Sequence, residues 1–354
     1  MEEKDIVRLF IKNGFQVSKD ALPLLITKPE YVLSRLKRIE PRPLFLTREY
    51  IEKILKETTV PEVKVIRKYE WERKPITVYD YLDFLLFHLK KVKKIISEHM
   101  PQEELISINK ITSQNTFSTI GIVKEKKEDN IILEDQTGEV TIFFDALLKE
   151  KLKEIFLDDI VGVKCRKVKG KIYARNIIYP DIPSTREVKK TDVDVKIALV
   201  CGFSSLNVNE KKKTLDLLKE KDVFLTFFFD EKNKKELEKI NSVRIEEFPV
   251  LFELEKIKIL TLPQRFFKNF AEKVNIPSFI RHLLRKRCLL PTFSLKTCLV
   301  GDFVLEYIPD IILSDLDGGK YMNYKGTTII SNSDPKKTFL INLRTREVEE
   351  IPID

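Results

Sequence analysis

The sequence predicts a multidomain chain: a small N-terminal helical domain, a closed β-barrel, and an α/β sandwich. Three observations predict it. Apolar residues recur at helical spacing through residues 1–56. The period then changes to two-residue alternation across 105–180. Beyond that, two wholly apolar runs, Val195–Val200 and Val223–Phe229, flank a Lys-rich helical stretch, as expected of strands covered on both faces.

Each element has its own signal. In Glu3–Asn13, Ile6, Val7, Phe10 and Ile11 share a helical face, and Gly14 stops that helix. Ser18 and Asp20 open a helix over Ala21–Thr27. Two more follow at Glu30–Ile39 and Thr47–Glu57, with Thr47 as the N-cap of the second. Residues 57–104 read as a linker and an amphipathic helix. Val60, Val63 and Val65 alternate between Pro61 and Pro75, a linker or an edge strand carrying Trp71 as an anchor. Residues 78–98 place Tyr81, Phe84, Leu85, His88, Leu89, Val92, Ile95 and Ile96 on one face. Lys90, Lys91, Lys93 and Lys94 lie on the other, a solvated face or a phosphate-facing patch.

Residues 105–183 predict five strands: Thr119–Val123, Asn130–Asp135, Val140–Phe144, Ile160–Lys169 and Lys171–Ile178. A short helix, Leu147–Ile155, precedes the last two. That order is the order of an OB-fold. Its aromatics are few: Phe117, Phe143, Phe144 and Tyr173. In residues 184–354 the helix Asn209–Lys221 separates the two apolar strands. Further strands are expected at Ser242–Ile245, Lys256–Leu262, Ile311–Leu313, Thr327–Ile330 and Thr338–Leu343, with helices at Gln264–Lys273 and Pro277–Arg287.

Composition narrows the function classes. In 354 residues the net charge is +9, compatible with a polyanion partner but too diffuse to mark a dedicated nucleic-acid clamp. Cys165, Cys201, Cys288 and Cys298 have no metal-ligand spacing, and the first two sit in apolar settings as free thiols of a reducing compartment. No signal peptide is visible, and no apolar run approaches the ~20 residues that cross a bilayer. A soluble intracellular chain without a membrane partner is expected. His88, His99 and His282 are its only histidines.

Specific runs then point to a family. They are Ser118–Val123, Ile132–Gly138, Asp159–Val163 and the exit Tyr179-Pro-Asp-Ile-Pro183 in the barrel, and His282–Thr292, Tyr307–Ile312 and Tyr324–Ser333 near the C-terminus. On these residues the chain resembles the small subunit of the archaeal family-D DNA polymerase. The resemblance implies that the last domain is a calcineurin-like phosphoesterase. In active members two divalent metals, usually manganese, activate a hydroxide for in-line attack on a phosphodiester. Their ligand motifs run Asp-x-His, Gly-Asp, Gly-Asn-His, a lone His and Gly-His-x-His.

Here those positions are degenerate. Gly202 and Ser204 stand at the first motif. Asp230 follows Phe229 at the second. Gly-Asn-His is absent. The lone-His position falls in Leu260–Leu262, and the last motif reads Ser314-Asp315-Leu316-Asp317. Asp230, Asp315 and Asp317 offer oxygen ligands for one Mg²⁺, but Asp315–Gly319 equally does ordinary turn work. No catalytic residue and no bound cofactor are expected.

The resemblance implies a non-catalytic accessory subunit. It would scaffold the large catalytic subunit of a family-D polymerase in an archaeal cytoplasm and meet DNA through that complex. The alternatives are an active metal-dependent 3′–5′ proofreading exonuclease and a stand-alone single-stranded DNA-binding protein. Arg281, Arg285, Lys286 and Arg287 form a basic cluster suited to nucleic acid, an acidic partner or a solvated face. Gln264–Phe270 is similar to a sliding-clamp peptide but lacks its paired terminal aromatics, so it reads as a core helix.

Overall fold

The computed structural model describes residues 3–26, 29–36, 43–56, 62–73, 77–101, 104–111, 114–229, 241–245, 247–267, 276–290, 299–316 and 320–353. Asp230, Asp317 and Cys298 lie outside them, as does most of Gln264–Phe270 beyond Phe267. The chain divides into two compact units, 1–64 with 191–194, and 65–190 with 195–354.

The first unit is mainly helical. It contains α1 (Glu3–Lys12), β1 (Gln16–Val17), α2 (Leu22–Leu25), α3 (Pro29–Leu36), β2 (Phe45–Leu46) and α4 (Arg48–Lys56). The predicted apolar faces meet in one core of Ile6, Phe10, Phe15, Leu25, Val32, Leu36, Leu46 and Ile51. Gly14 adopts φ +86°, the left-handed conformation that ends α1 at low cost. The Thr47 hydroxyl accepts from the Tyr50 N–H at 3.3 Å and caps α4, as its position predicts. The short parallel pair β1–β2 was not legible in the sequence.

The second unit begins with β3 (Val63–Lys68), β4 (Glu72–Arg73) and α5 (Val78–Ser97). Thr77 and Asp80 form a capping box that starts α5. The barrel follows: β5 (Thr116–Lys126), β6 (Asn130–Asp135), β7 (Gly138–Phe143), α6 (Lys149–Lys153), β8 (Ile160–Val168) and β9 (Lys171–Ile178). Its strands close in the order β5-β6-β7-β9-β8. Val123, Ile131, Leu133, Ile142, Val161, Val163 and Ala174 fill it, each from the inward phase of its strand.

The remaining strands form two sheets. The first has the order β12-β11-β10-β19-β20, from β10 (Lys196–Cys201), β11 (Leu225–Phe229), β12 (Ser242–Ile245), β19 (Lys337–Asn342) and β20 (Val348–Pro352). The second has the order β17-β18-β16-β14-β13-β3, from β13 (Val250–Leu254), β14 (Ile257–Leu262), β16 (Ile311–Ser314), β17 (Lys320–Tyr324), β18 (Thr327–Ser331) and the edge strand β3. A further strand, β15 (Leu299–Val300), pairs with β4. Between the sheets Phe227 meets Phe252 edge-to-face at 5.5 Å.

Helix α7 (Val208–Glu220) covers the outer face of the first sheet, with Leu218 against Ala198, Val200 and Phe228. The short α8 (Gln264–Phe267) and α9 (Ile276–Lys286) cover the second. There α5 is part of the same core: Leu89, Val92 and Ile96 pack with Ile120 and Ile160 of the barrel, Leu251 and Leu260 of the sheet, and Leu283 of α9. The periodicity of residues 78–98 therefore reports a helix wedged between barrel and sheet, one that no linker would need. Trp71 lies edge-on to Phe248 at 5.9 Å and anchors the chain to its own sandwich.

Strands β13, β17 and β20 were missed: charges interrupt the apolar residues of β13 and β20, as in Val250–Leu254 with Glu253, and β17 is short and carries Lys320 and Asn323. The short β4–β15 pair was not expected either, and the other strands of the barrel and the two sheets lie within a few residues of expectation. At Gly121 the barrel wall is packed too closely for any side chain. A Cβ on Gly121 would sit 2.5 Å from the Glu134 carbonyl oxygen and 2.8 Å from Leu133 Cγ. Gly121→Ala is expected to lower stability by about 1–3 kcal/mol, read as a fall in the urea midpoint with little change in m-value.

Candidate functional site

Two places carry sequence-derived expectations: the carboxyl ends of the sandwich strands, and the basic cluster on α9. At the first, β10 ends at Cys201 and the chain turns at Gly202, φ +60°. A Cβ there would lie 3.3 Å from Pro335 Cβ. Ser204 follows on the exposed side of a 3-10 turn, Phe203–Ser205. Asp315 follows β16 and accepts the Gln264 N–H, so its carboxylate caps α8. It also lies near Cys201, whose thiol is pushed well up by burial and then by that carboxylate.

The neighbouring strand ends are bonded internally. Ser314 donates to the Leu262 carbonyl at 2.7 Å, and Ser331 donates to Leu316. Asn332 donates to the carbonyls of Asp334 and Lys337 at 3.1 and 2.9 Å. Among the described residues no three His, Cys, Asp or Glu side chains come together as a metal site. Asp230 and Asp317 fall outside those residues. With Gly202 donating nothing and Asp315 engaged on a backbone N–H, the described residues do not fit a two-metal centre. No step is routed through one.

The histidines sit elsewhere. His88 is buried in α5, where its Nδ1–H donates to the Phe84 carbonyl at 2.8 Å and Nε2 accepts from the Phe303 N–H at 3.4 Å. Burial pushes its pKa down to about 4, so the ring is neutral at pH 7. His99 is exposed at the end of α5. Of the lysines beside it, Lys91 pairs with Asp302 and Glu306, leaving Lys90 and Lys94 exposed.

The basic cluster is divided by the fold. Only Arg281 is exposed. Arg285 reaches Glu154 of the barrel at 2.6 Å and lies 3.8 Å over the Tyr179 ring. Lys286 is 3% exposed and sits 3.4 Å from Asp159, which is fully buried at the start of β8. His282 Nε2 is 3.2 Å from the same carboxylate, and the Phe156 N–H donates to it at 2.9 Å. Arg287, 5% exposed, donates to the carbonyls of Leu305 and Glu306 at 2.6 and 2.7 Å. These side chains bind α9 to the barrel and to the loop before β16. Helical phase does not separate them, since Arg281 and Arg285 stand four residues apart on one face; what packs over each side chain depends on the fold.

A second set of polar clamps holds the exit strap. Asp181 accepts from the Tyr324 hydroxyl at 2.8 Å and from Lys325 at 2.7 Å. Arg186 pairs with buried Asp310 and donates to the Pro309 carbonyl at 3.0 Å. The Pro-Asp-Ile-Pro exit thus lies along the second sheet.

The Asp159 pair has a measurable consequence. Burial pushes this carboxyl up, but Lys286, His282 and the Phe156 N–H together outweigh it and hold the pKa below the ordinary value. A depressed folded pKa contributes stability above the unfolded value of ~3.9, and that stability is lost as pH falls through the folded value. Lys286→Met strands the charge, with an expected loss of about 3–5 kcal/mol at pH 7 by urea unfolding. Asp159→Asn combined with Lys286→Met restores most of it. The deficit of Lys286→Met shrinks as pH falls, because without Lys286 burial pushes the Asp159 carboxyl up and it protonates before the wild-type carboxyl does.

No known protein-family profile matches the chain. It is 27% identical over 140 residues to the DNA polymerase II small subunit of Archaeoglobus fulgidus, covering 38% of this chain and 28% of that protein. It is also 27% identical over 147 residues to the DNA polymerase II small subunit of Pyrococcus furiosus, covering 39% of this chain and 24% of that one. The matched stretch thus spans about a quarter of each curated relative. Among solved structures, YjeQ from Thermotoga maritima aligns with 37% of this chain and 52% of its own, at 12% identity and a TM-score of 0.16, too low to carry an argument. Among the described residues no helix is long and apolar enough to cross a membrane. The chain is thus a distant, partial relative of DNA polymerase II small subunits.

Proposed function

We propose that the chain is a non-catalytic small subunit of a family-D DNA polymerase, scaffolding a large catalytic subunit in DNA replication. The observation that carries this is the similarity to two polymerase small subunits. In this reading residues 105–183 are an OB-fold and residues 184–354 a degenerate calcineurin-like phosphoesterase. Residues 1–56 are a separate helical domain, and 57–104 join it to the rest. The barrel order β5-β6-β7-β9-β8 and the two-sheet sandwich support the first two assignments.

The chemistry of the strand ends supports a non-catalytic role. A phosphodiesterase needs carboxylates and imidazoles free to grip two cations. Here Gly202 has no donor, and Asp315 serves a helix N-terminus. The apolar sandwich persists around them, which fits a fold kept for assembly.

The surface of α5 supports an assembly role as well. Val78, Tyr79, Leu82, Leu86 and Phe87 are 38–80% exposed along the first half of the helix. Exposed apolar stripes of this kind mark protein contacts. The large subunit is the occupant this reading assigns to it.

Co-expression with the large polymerase subunit of the same cell is expected to give a stoichiometric complex on gel filtration; two separate peaks would reject the assembly role. Leu82→Asp with Leu86→Asp is expected to weaken that complex at least tenfold, while the melting temperature of the isolated chain stays unchanged.

With Mn²⁺ and 3′-ended single-stranded DNA, the purified chain is expected to show no cleavage above a chelator control. Metal-dependent cleavage abolished by Asp230→Ala or Asp315→Ala would overturn the non-catalytic reading and favour the exonuclease.

A further inference from the structure

The aromatics of the barrel do not share one environment. Phe117 and Phe144 are buried, at 0% and 6% exposure. Phe143 and Tyr173 are half-buried on the outer surface, at the one register point where β7 and β9 pair to close the barrel. Their ring centroids are 5.9 Å apart and their planes are inclined by 41°. The pairing continues on both sides, Asn130 with Phe143 and Arg166 with Tyr173, then Thr116 with Arg166. Strand pleating sends these partners to the same outer face.

Cations surround the two rings. The ammonium of Lys171 lies 4.9 Å from the Phe143 centroid. Residues 164–176 contain six Lys and Arg and no carboxylate. Lys164 pairs with Glu104, and Arg175 with Asp145 at 3.8 Å. Arg166, Lys169 and Lys171 are exposed and form no ion pair among the described residues. Lys169 and Gly170, at φ +49° and +83°, turn the β8–β9 hairpin beside the rings.

We propose that the Phe143–Tyr173 seam, with Arg166, Lys169 and Lys171, is a binding site for single-stranded DNA. Aromatic faces take unstacked bases of any sequence, and unpaired cations take the phosphates between them. A duplex buries its base faces and offers the rings nothing. An acidic peptide would use the cations but gain little from two inclined rings. The barrel gives a rigid platform, because the β7–β9 pairing fixes both rings. This site goes beyond the assembly role and does not rest on it, since assembly draws on a different surface, α5.

Anisotropy of a labelled dT20 oligonucleotide with the full chain tests it. Single-stranded DNA is expected to bind more tightly than a duplex of the same length. With three cations engaged, affinity falls about 20-fold between 50 and 200 mM salt. Phe143→Leu and Tyr173→Leu keep apolar cover on the barrel but remove the π faces. Each is expected to weaken binding about tenfold, with the melting temperature as the folding control. Arg166→Ala with Lys171→Ala is expected to flatten the salt dependence.

No binding by the wild type at 50 mM salt would overturn the proposal. So would full affinity in both leucine variants, which would leave charge alone as the cause, or equal affinity for the duplex. Gel filtration with the large subunit is unaffected by any of these outcomes, so the two readings fail separately.

Discussion

Asp159 is fully buried where the barrel meets α9, and a lone carboxylate there would be far too costly to keep. Its charge is tolerable only because Lys286, His282 and the Phe156 N–H converge on it. Two of those three partners belong to α9, in the sandwich, whereas Asp159 opens β8 of the barrel. The ionic set therefore fixes the angle between two bodies that share a continuous apolar core. Hydrophobic contact among Ile160, Ile120, Ile96 and Leu283 supplies most of the attraction. It is non-directional, and the Asp159 set is what makes one docking geometry preferable. The cost falls on Lys286, which is unavailable for any external ligand.

The same division explains the fate of the basic cluster. Four cations within seven residues look like a patch in a linear sequence, yet what packs over each one decides its role, even for Arg281 and Arg285 on one helix face. Arg285 covers Tyr179, Arg287 closes the loop before β16, and only Arg281 faces solvent. Positive charge that is free to meet a polyanion lies instead on β8 and β9, where Arg166 and Lys171 point away from the barrel. Count and density of charge did not distinguish the two places; partner geometry does.

Much of the architecture was legible. Two-residue alternation over 105–180 located all five barrel strands, and the apolar runs at 195–200 and 223–229 located the centre of the first sheet. Those signals are strong because each strand must satisfy a barrel interior or two buried faces at once. Strands β13, β17 and β20 escaped because they border charge-rich turns and carry weaker constraints. The role of residues 78–98 was legible as a helix but not as a wedge, since periodicity reports how much of a helix is covered and not by what. At the strand ends, Gly202 and Ser204 were readable in the sequence as residues without a carboxylate or imidazole. That Asp315 caps α8 was not, because it depends on a backbone N–H brought close only by folding.

Under the proposed reading, strand ends without metal ligands and an intact apolar sandwich are two sides of one physical condition. In an active phosphoesterase the ligands repel one another until metal arrives, so the site is a liability for stability in the absence of cations. Gly202 adds no charge at the strand ends, and Asp315 satisfies the Gln264 N–H. In that reading, the Asp315 cap stabilises the fold at the place where a metal site would weaken it. In the proposed reading, function rests on the outer form: a sandwich that holds α5 in place, and a barrel that presents Phe143 and Tyr173. Constraint of that kind acts on cores and surfaces, and it accounts for apolar strands that stay recognisable while the ligand positions between them do not.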